Sequence, residues 1–239
     1  MLILRSIFFY TCFAVSLLCQ GPRLLTIKHK ERTLSPAEFD RYVNGVASRW
    51  ARRNAERSGA RFHIDGLENI PHDEAVVFVA NHQGDFDIAA FLAYFPVPHG
   101  YVAKIEILKV PILRDWMKHM RCVFIDRKNI RQTAKAFTEG IKILQNGQSL
   151  VLFPEGTRSK SEKMGEFKEA SFKLATKAKV PIVPVSINGT YRIMEANRRL
   201  ISPTDVYITV HPPIPTADLT PDEVSALPSR VKGIIQNGL

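Results

Sequence analysis

Short apolar runs recur at 75–80, 149–153 and 182–187, and each is closed by a proline or an asparagine. Runs of that length between polar flanks predict buried strands. With the weaker apolar segments, strands are predicted over 61–65, 74–81, 100–104, 122–126, 149–153 and 182–187. Residues 205–210 alternate apolar with exposed types, the pattern of a strand with one wet face. Between them, 87–95 reads as an apolar helix, 111–120 as an amphipathic segment, and 129–145, 167–177 and 221–236 as further helices. Such alternation predicts the α/β class, with a central, largely parallel or mixed sheet flanked by helices. Pro184, which has no N–H for a ladder, predicts an edge or a bulge at its place in the run.

The first sixty residues follow other patterns. Residues 7–19 are mostly apolar behind a single Arg5, and with 2–4 included they approach the roughly 20 residues of a spanning helix. No Ala-x-Ala-like cleavage site follows, and Leu18 stands where a lipoprotein site at Cys19 would need a small residue. The run is therefore read as a retained membrane-associating segment, either a marginal span or a helix lying in the interface. From 35 to 58 the chain predicts a long helix. Ser35-Pro36-Ala37-Glu38 is a capping box with proline at the first helical position, and Gly59 is the stop. Phe39, Val43, Val46 and Trp50 form one apolar stripe, with Arg41, Arg49, Arg52 and Arg53 beside or opposite it. That helix can lie on a membrane surface, pack against the rest of the chain, or do both.

Composition narrows the partners. A chain of 239 residues with 45% hydrophobic content can bury one substantial core. The expected division is a helical anchor over 1–60 and a single α/β domain over 61–239. The formal net charge is +10, with ten Arg or Lys against four acids between 20 and 61. That surplus points to anionic partners. No zinc-finger spacing, RNP-like aromatic pattern or heptad-linked basic region is present, so an anionic membrane surface is favoured over nucleic acid. The basic stretch from Arg23 predicts that this end faces the cytoplasm. Three cysteines without a CxxC pair give no disulfide framework. His29, His63, His72, His99, His119 and His211 show no metal-ligand spacing, and no metal is expected.

Candidate chemistry lies at Asn81-His82-Gln83-Gly84-Asp85-Phe86-Asp87. An imidazole that takes a proton works best when a carboxylate holds its other ring nitrogen. On a regular helix His82 and Asp87 would point about 140° apart, so they meet only if the chain turns, as Gly84 permits. A strand precedes the turn and a helix follows it, the place where α/β proteins bind ligands. Phe153-Pro154-Glu155-Gly156-Thr157-Arg158 follows a second buried strand. There glycine allows close backbone approach, Thr157 adds a hydroxyl donor, and Arg158 has the fork that grips a phosphate.

These two segments, with Phe124-Ile125-Asp126-Arg127 between them and Val180-Pro181-Ile182-Val183-Pro184-Val185 after them, occur in an order that resembles the glycerophospholipid acyltransferase superfamily. The chain looks most like its 1-acylglycerol-3-phosphate (lysophosphatidate) acyltransferases, over roughly residues 60–215. The resemblance implies transfer of an acyl chain from a thioester, either acyl-CoA or an acyl carrier protein, to the sn-2 hydroxyl of a lysophospholipid. It implies no cofactor beyond that co-substrate. His82 and Asp87 are then the catalytic pair, with no acyl-enzyme. Gly156, Thr157, Arg158 and Arg127 hold the acceptor phosphate, Glu155 orients those cations, and Lys104 binds phosphate or the oxyanion. Two departures stand out: Arg121 occupies a position where the family often has glycine, and so does Ala170 after Phe167-Lys168. Other acceptors (glycerol 3-phosphate, another lysophospholipid, a lyso amino-acid lipid) and a non-catalytic membrane-binding module remain as alternatives. The sequence contains no Gly-x-Ser-x-Gly elbow, Walker loop, His-Glu-x-x-His or Gly-x-Gly-x-x-Gly.

Overall fold

The computed structural model describes all 239 residues. Three helices come first: α1 (Leu2–Leu18), α2 (Gln20–Thr33) and α3 (Pro36–Ser58). There follow β1 (Arg61–Asp65), β2 (Val77–Ala80), α4 (Phe86–Tyr94), β3 (His99–Lys104), α5 (Pro111–His119), β4 (Val123–Ile125) and α6 (Ile130–Gln145). The chain closes with β5 (Ser149–Leu152), α7 (Lys173–Ala178), β6 (Ile182–Asn188), β7 (Asp205–Val210) and α8 (Pro221–Asn237). The strands form one sheet in the order β1-β7-β6-β2-β5-β3-β4. β6, β2, β5, β3 and β4 run parallel, whereas β7 pairs antiparallel to β6 and carries β1 parallel to itself. The sheet is therefore mixed.

Burial explains which residues became strands. β2 and β5 are buried along their whole length, because interior parallel strands are covered on both faces. Phe78, Val151, Val183 and Val185 face one apolar layer with α3 and α4, which also receives Phe9 and Ile27 from the first two helices. Val77, Val79, Leu150 and Ile182 face the other, with Leu144, Leu174, Val231 and Ile235. The capping box on Ser35 and Glu38 is present, and Gly59 ends α3 in the left-handed region at φ +78. The Phe39, Val43, Val46 and Trp50 stripe packs inward, in the layer shared with α4. Arg52 Nη2 (3.0 Å) and Ser48 Oγ (3.3 Å) both donate to the carbonyl of Ala93 near the end of α4.

Residues 2–33 are the one helical run long and apolar enough to cross a membrane. Ile7, Phe8, Val15 and Leu18 are exposed on it, which leaves one face of the segment apolar and unpacked. Its other face docks. Phe9 is 5% exposed and its ring lies 5.8 Å from that of Phe86 at the start of α4. Ser6 Oγ accepts from Ile201 N at 2.8 Å, and Tyr10 Oη donates to the Arg199 carbonyl at 2.6 Å.

Two local expectations change, and at Pro184 the structure takes the bulge rather than the edge. The segment 167–177 is not one helix: a 3-10 turn over Glu169–Phe172 precedes the short α7, because the approach to that helix first passes the site described below. The strand expected over 74–81 is confined to Val77–Ala80. Pro184 sits in an interior strand, not at an edge. The β6–β7 register pairs Val185 with Val210, and Ile182 bridges Ile214, so one side has an extra residue and the ladder bulges where proline lacks its N–H. The Pro184 carbonyl still accepts from His211 N at 2.9 Å.

Arg121 has φ +56, a left-handed position that favours glycine and that costs an L-residue about 1–2 kcal/mol. Its guanidinium reaches Asp40 Oδ1 at 3.0 Å. Ala170 lies exposed in the 3-10 turn.

Candidate active site

The parallel strands deliver their following residues to one end of the sheet: His82 after β2, Lys104 at the end of β3, Arg127 after β4, Glu155 after β5 and Thr190 after β6. The first of these segments is pinned at its root. Asn81 Nδ2 donates to the Ile187 carbonyl and Asn81 Oδ1 accepts from Ile187 N, both at 2.8 Å. β2 therefore ends as though its neighbour β6 had one more partner.

Past that point the chain folds into a turn around one carboxylate. Asp87 Oδ2 accepts from His82 Nδ1 (2.7 Å), Gln83 N (2.7 Å) and Gly84 N (2.9 Å), and its Oδ1 accepts from the Thr190 hydroxyl. The Asp87 side chain has no exposure and that of His82 has 16%. The ring of His82 stacks on Phe153 with centroids 4.1 Å apart and planes 19° off parallel. One nitrogen of the imidazole is thus committed to a buried acid and one face to an apolar ring, leaving Nε2 without a protein partner. Gly84 matters here for space rather than for a left-handed backbone: a Cβ would lie 2.6 Å from Glu195 Oε2, so that carboxylate would have to shift.

Glu155 sits behind the histidine. Its Oε1 accepts from His82 N at 2.7 Å and its Oε2 from Gly165 N at 2.8 Å. It orients backbone amides, where the sequence predicted that it would orient cations. Burial pushes its carboxyl above the usual range, against the pull of those two amides. The loop after it is tied to the histidine turn, since Ser159 N donates to His82 O (2.8 Å) and Lys160 N to Gln83 O (3.1 Å).

Gly156 has φ +74, and a Cβ there would lie 3.0 Å from Lys168 Nζ and 3.4 Å from Arg127 Nη2. Arg127 and Lys168 therefore converge over that glycine. Both are exposed and neither is ion-paired. Thr157 and Lys104 are exposed as well. Arg158 is placed differently. Its guanidinium pairs with Asp85 in the histidine turn and lies 3.5 Å from Glu195 Oε1. Glu195 in turn accepts from Asp85 N at 2.8 Å, and burial raises its pKa.

Of the residues singled out in the sequence, the structure gathers His82, Asp87, Glu155, Gly156 and Arg127 at one end of the sheet and turns Arg158 toward carboxylates. Three contributors went unassigned. Thr190 and Glu195 come from a loop without local pattern, whereas Lys168 was visible beside Phe167 without a role. The remaining histidines stay outside; burial lowers His99 to about 4, and it bonds Val97 O and Tyr101 Oη.

The family model described as Acyltransferase matches residues 61–188. A 1-acyl-sn-glycerol-3-phosphate acyltransferase of Borreliella burgdorferi is 33% identical over 175 residues, 73% of this chain and 70% of that protein. A probable 1-acyl-sn-glycerol-3-phosphate acyltransferase of Mycoplasma genitalium is 45% identical over 138 residues, 56% of this chain and 51% of that one. The match therefore spans about half the length of the Mycoplasma protein. Among solved structures, the 1-acyl-sn-glycerophosphate acyltransferase PlsC of Thermotoga maritima superposes with a TM-score of 0.85 at 29% identity. That superposition covers 99% of this chain and 93% of that one.

Proposed function

The chain belongs to the acyltransferase family and is an O-acyltransferase, and we propose that it acylates the sn-2 hydroxyl of 1-acylglycerol 3-phosphate to give phosphatidate. The observation that carries the mechanism is the division of the His82 ring. Nδ1–H donates to Asp87, which leaves Nε2 as the basic nitrogen. Nε2 takes the proton of the acceptor hydroxyl as its oxygen attacks the thioester carbonyl of acyl-CoA or an acyl carrier protein. The C–O bond forms, the C–S bond breaks, and the imidazolium returns its proton to the leaving thiolate. Asp87 holds the tautomer and stabilises the charged ring. No acyl-enzyme is required. Burial pushes the Cys122 thiol up to about 12, which leaves it un-ionised at neutral pH.

Arg127 and Lys168 over Gly156 receive the acceptor phosphate, in a place where a backbone without a side chain lets the anion approach. Lys104, on the adjoining strand end, adds a third cation for phosphate or for the oxyanion. A small apolar pocket lies under α3, α4 and α5, lined by Ile88, Leu92, Trp116 and Met120 among others, and it suits acyl-chain methylenes. The exposed face of α1 holds the site at the bilayer, with the basic segment after Arg23 on the cytoplasmic side.

The test is phosphatidate formation, followed by mass spectrometry, from lysophosphatidate with each thioester donor. Wild type is expected to turn over, and folded His82→Ala to lose roughly 10²–10⁴ in kcat. Equal product from both proteins would overturn His82 as the base. Product only with another acceptor would overturn the substrate.

A further inference from the structure

A cleft of about 660 Å³ opens between α1–α2 and α3. None of its lining residues belongs to the His82 turn or to the Arg127–Lys168 cradle. Its rim is cationic. Arg49, Arg53 and Arg57 are spaced four apart, which places them on one face of α3, and Arg23 of α2 faces them across the opening. None of the four is ion-paired, and no Asp or Glu lines the cleft.

The floor is of another kind. Val15, Ile27, Val46, Trp50 and Trp116 line it. Both indole N–H groups are already used, Trp50 Nε1 on Ser16 Oγ at 3.1 Å and Trp116 Nε1 on the Gln20 carbonyl at 3.3 Å. The rings therefore offer apolar faces and no free donor. Free phosphate would use the charge on the rim but not the apolar side chains that line the cleft beside Thr11, Thr26 and Asn54. A molecule with an anionic head and an apolar tail would use both. Val15 connects the cleft to the membrane face, since it lines the cleft and is also 55% exposed on α1.

We propose that this cleft binds one anionic phospholipid of the bilayer, its phosphate on the arginine row and the start of its chains against Trp50 and Trp116. Its phosphate seat is separate from that of the reacting acceptor, while its floor adjoins the acyl-chain pocket through Gln20, Trp50 and Trp116. It rests on the membrane reading of α1 and not on the identity of the acyl acceptor.

Trp50 and Trp116 are the only tryptophans of the chain and border both this cleft and the acyl-chain pocket, so intrinsic fluorescence reports on the two together and the arginine variants tell them apart. The full chain in non-ionic detergent is titrated with dihexanoyl phosphatidate, with dihexanoyl phosphatidylcholine and with inorganic phosphate. A saturable emission change is expected with phosphatidate alone. The double variant Arg49→Gln, Arg53→Gln should move its midpoint up roughly tenfold or more, and Arg127→Gln should leave the midpoint in place. Circular dichroism of each variant checks the fold, which these exposed side chains do not support.

Several outcomes would overturn the proposal. They are the absence of a saturable change, an equal response to the zwitterionic lipid, and a midpoint unmoved in the arginine double variant. Saturation by inorganic phosphate at the same concentration would make the cleft a free-phosphate site. Loss of the response in Arg127→Gln would place the lipid in the catalytic cradle. No turnover is needed, so a failure of the lysophosphatidate assignment would show separately in the product assay.

Discussion

The histidine turn and the cationic cradle open onto the same end of the sheet and are built by opposite means. Asp87 has no solvent exposure and four donors around it. Arg127 and Lys168 are solvated and meet only at the bare backbone of Gly156. In the proposed mechanism the groups that move a proton are fixed before the substrate arrives, so no reorganisation accompanies the reaction. Groups that hold a charged ligand stay hydrated until it comes, and so each can be removed without leaving a buried charge behind. Arg158 stands between the two. It is a cation of the phosphate-type loop, yet it is drawn into the turn by Asp85 and Glu195.

The comparison breaks most sharply at Asp87. Asp87→Asn keeps the shape and loses the acceptor that fixes the His82 tautomer, so kcat is expected to fall roughly 10³–10⁴-fold with little change in acceptor KM. Steady-state kinetics on folded protein decides it. A rise in KM at constant kcat would mean that the turn serves binding.

Smaller effects belong to the cradle. Arg127→Gln and Lys168→Gln each remove a charge-assisted bond worth about 1.5–3 kcal/mol. Acceptor KM should therefore rise roughly 10–100-fold while kcat changes little. A loss confined to kcat would assign these cations to the reacting atoms and erase the distinction.

The smallest effect is expected at Glu195→Gln, which loosens Arg158 from the turn and should alter stability by no more than about 1–2 kcal/mol near neutral pH. Burial raises the Glu195 pKa. The stability that its protonation contributes is present below the ordinary glutamate range and is lost as pH rises through the raised value. The Tm of wild type relative to Glu195→Gln should therefore decline between pH 4.5 and pH 7.5. A difference that grew with pH would show that the ion pair with Arg158 dominates.

Much of this arrangement was legible in local pattern. Apolar runs located β2 and β5, and the capping box with Gly59 bounded α3, because burial and caps act over a few residues. The meeting of His82 with Asp87 was legible too, since a histidine and an aspartate five residues apart must either turn toward each other or lie apart. What escaped depended on neighbours distant in sequence. Glu155 reads as a partner for cations until β2 is laid beside β5, whereupon the nearest donor is the His82 amide. Gly84 reads as a flexible turn residue until Glu195 is packed against it. Lys168 was in view, but only the 3-10 turn that splits the expected helix carries its side chain back over Gly156. The left-handed Arg121 is the plainest gain from structure, because it turns a departure from the family pattern into a position with a conformational reason.

The docking of α1 has a practical consequence for anyone seeking a water-soluble form of this enzyme. Cutting away the apolar helix would also strip Phe9 from the core, uncover Phe86 beside Asp87, and leave the Ile201 amide without the Ser6 hydroxyl. The shortened chain would trade a greasy exterior for an open interior, so solubility is better sought by recolouring the outward residues Ile7, Phe8 and Leu18 than by deletion.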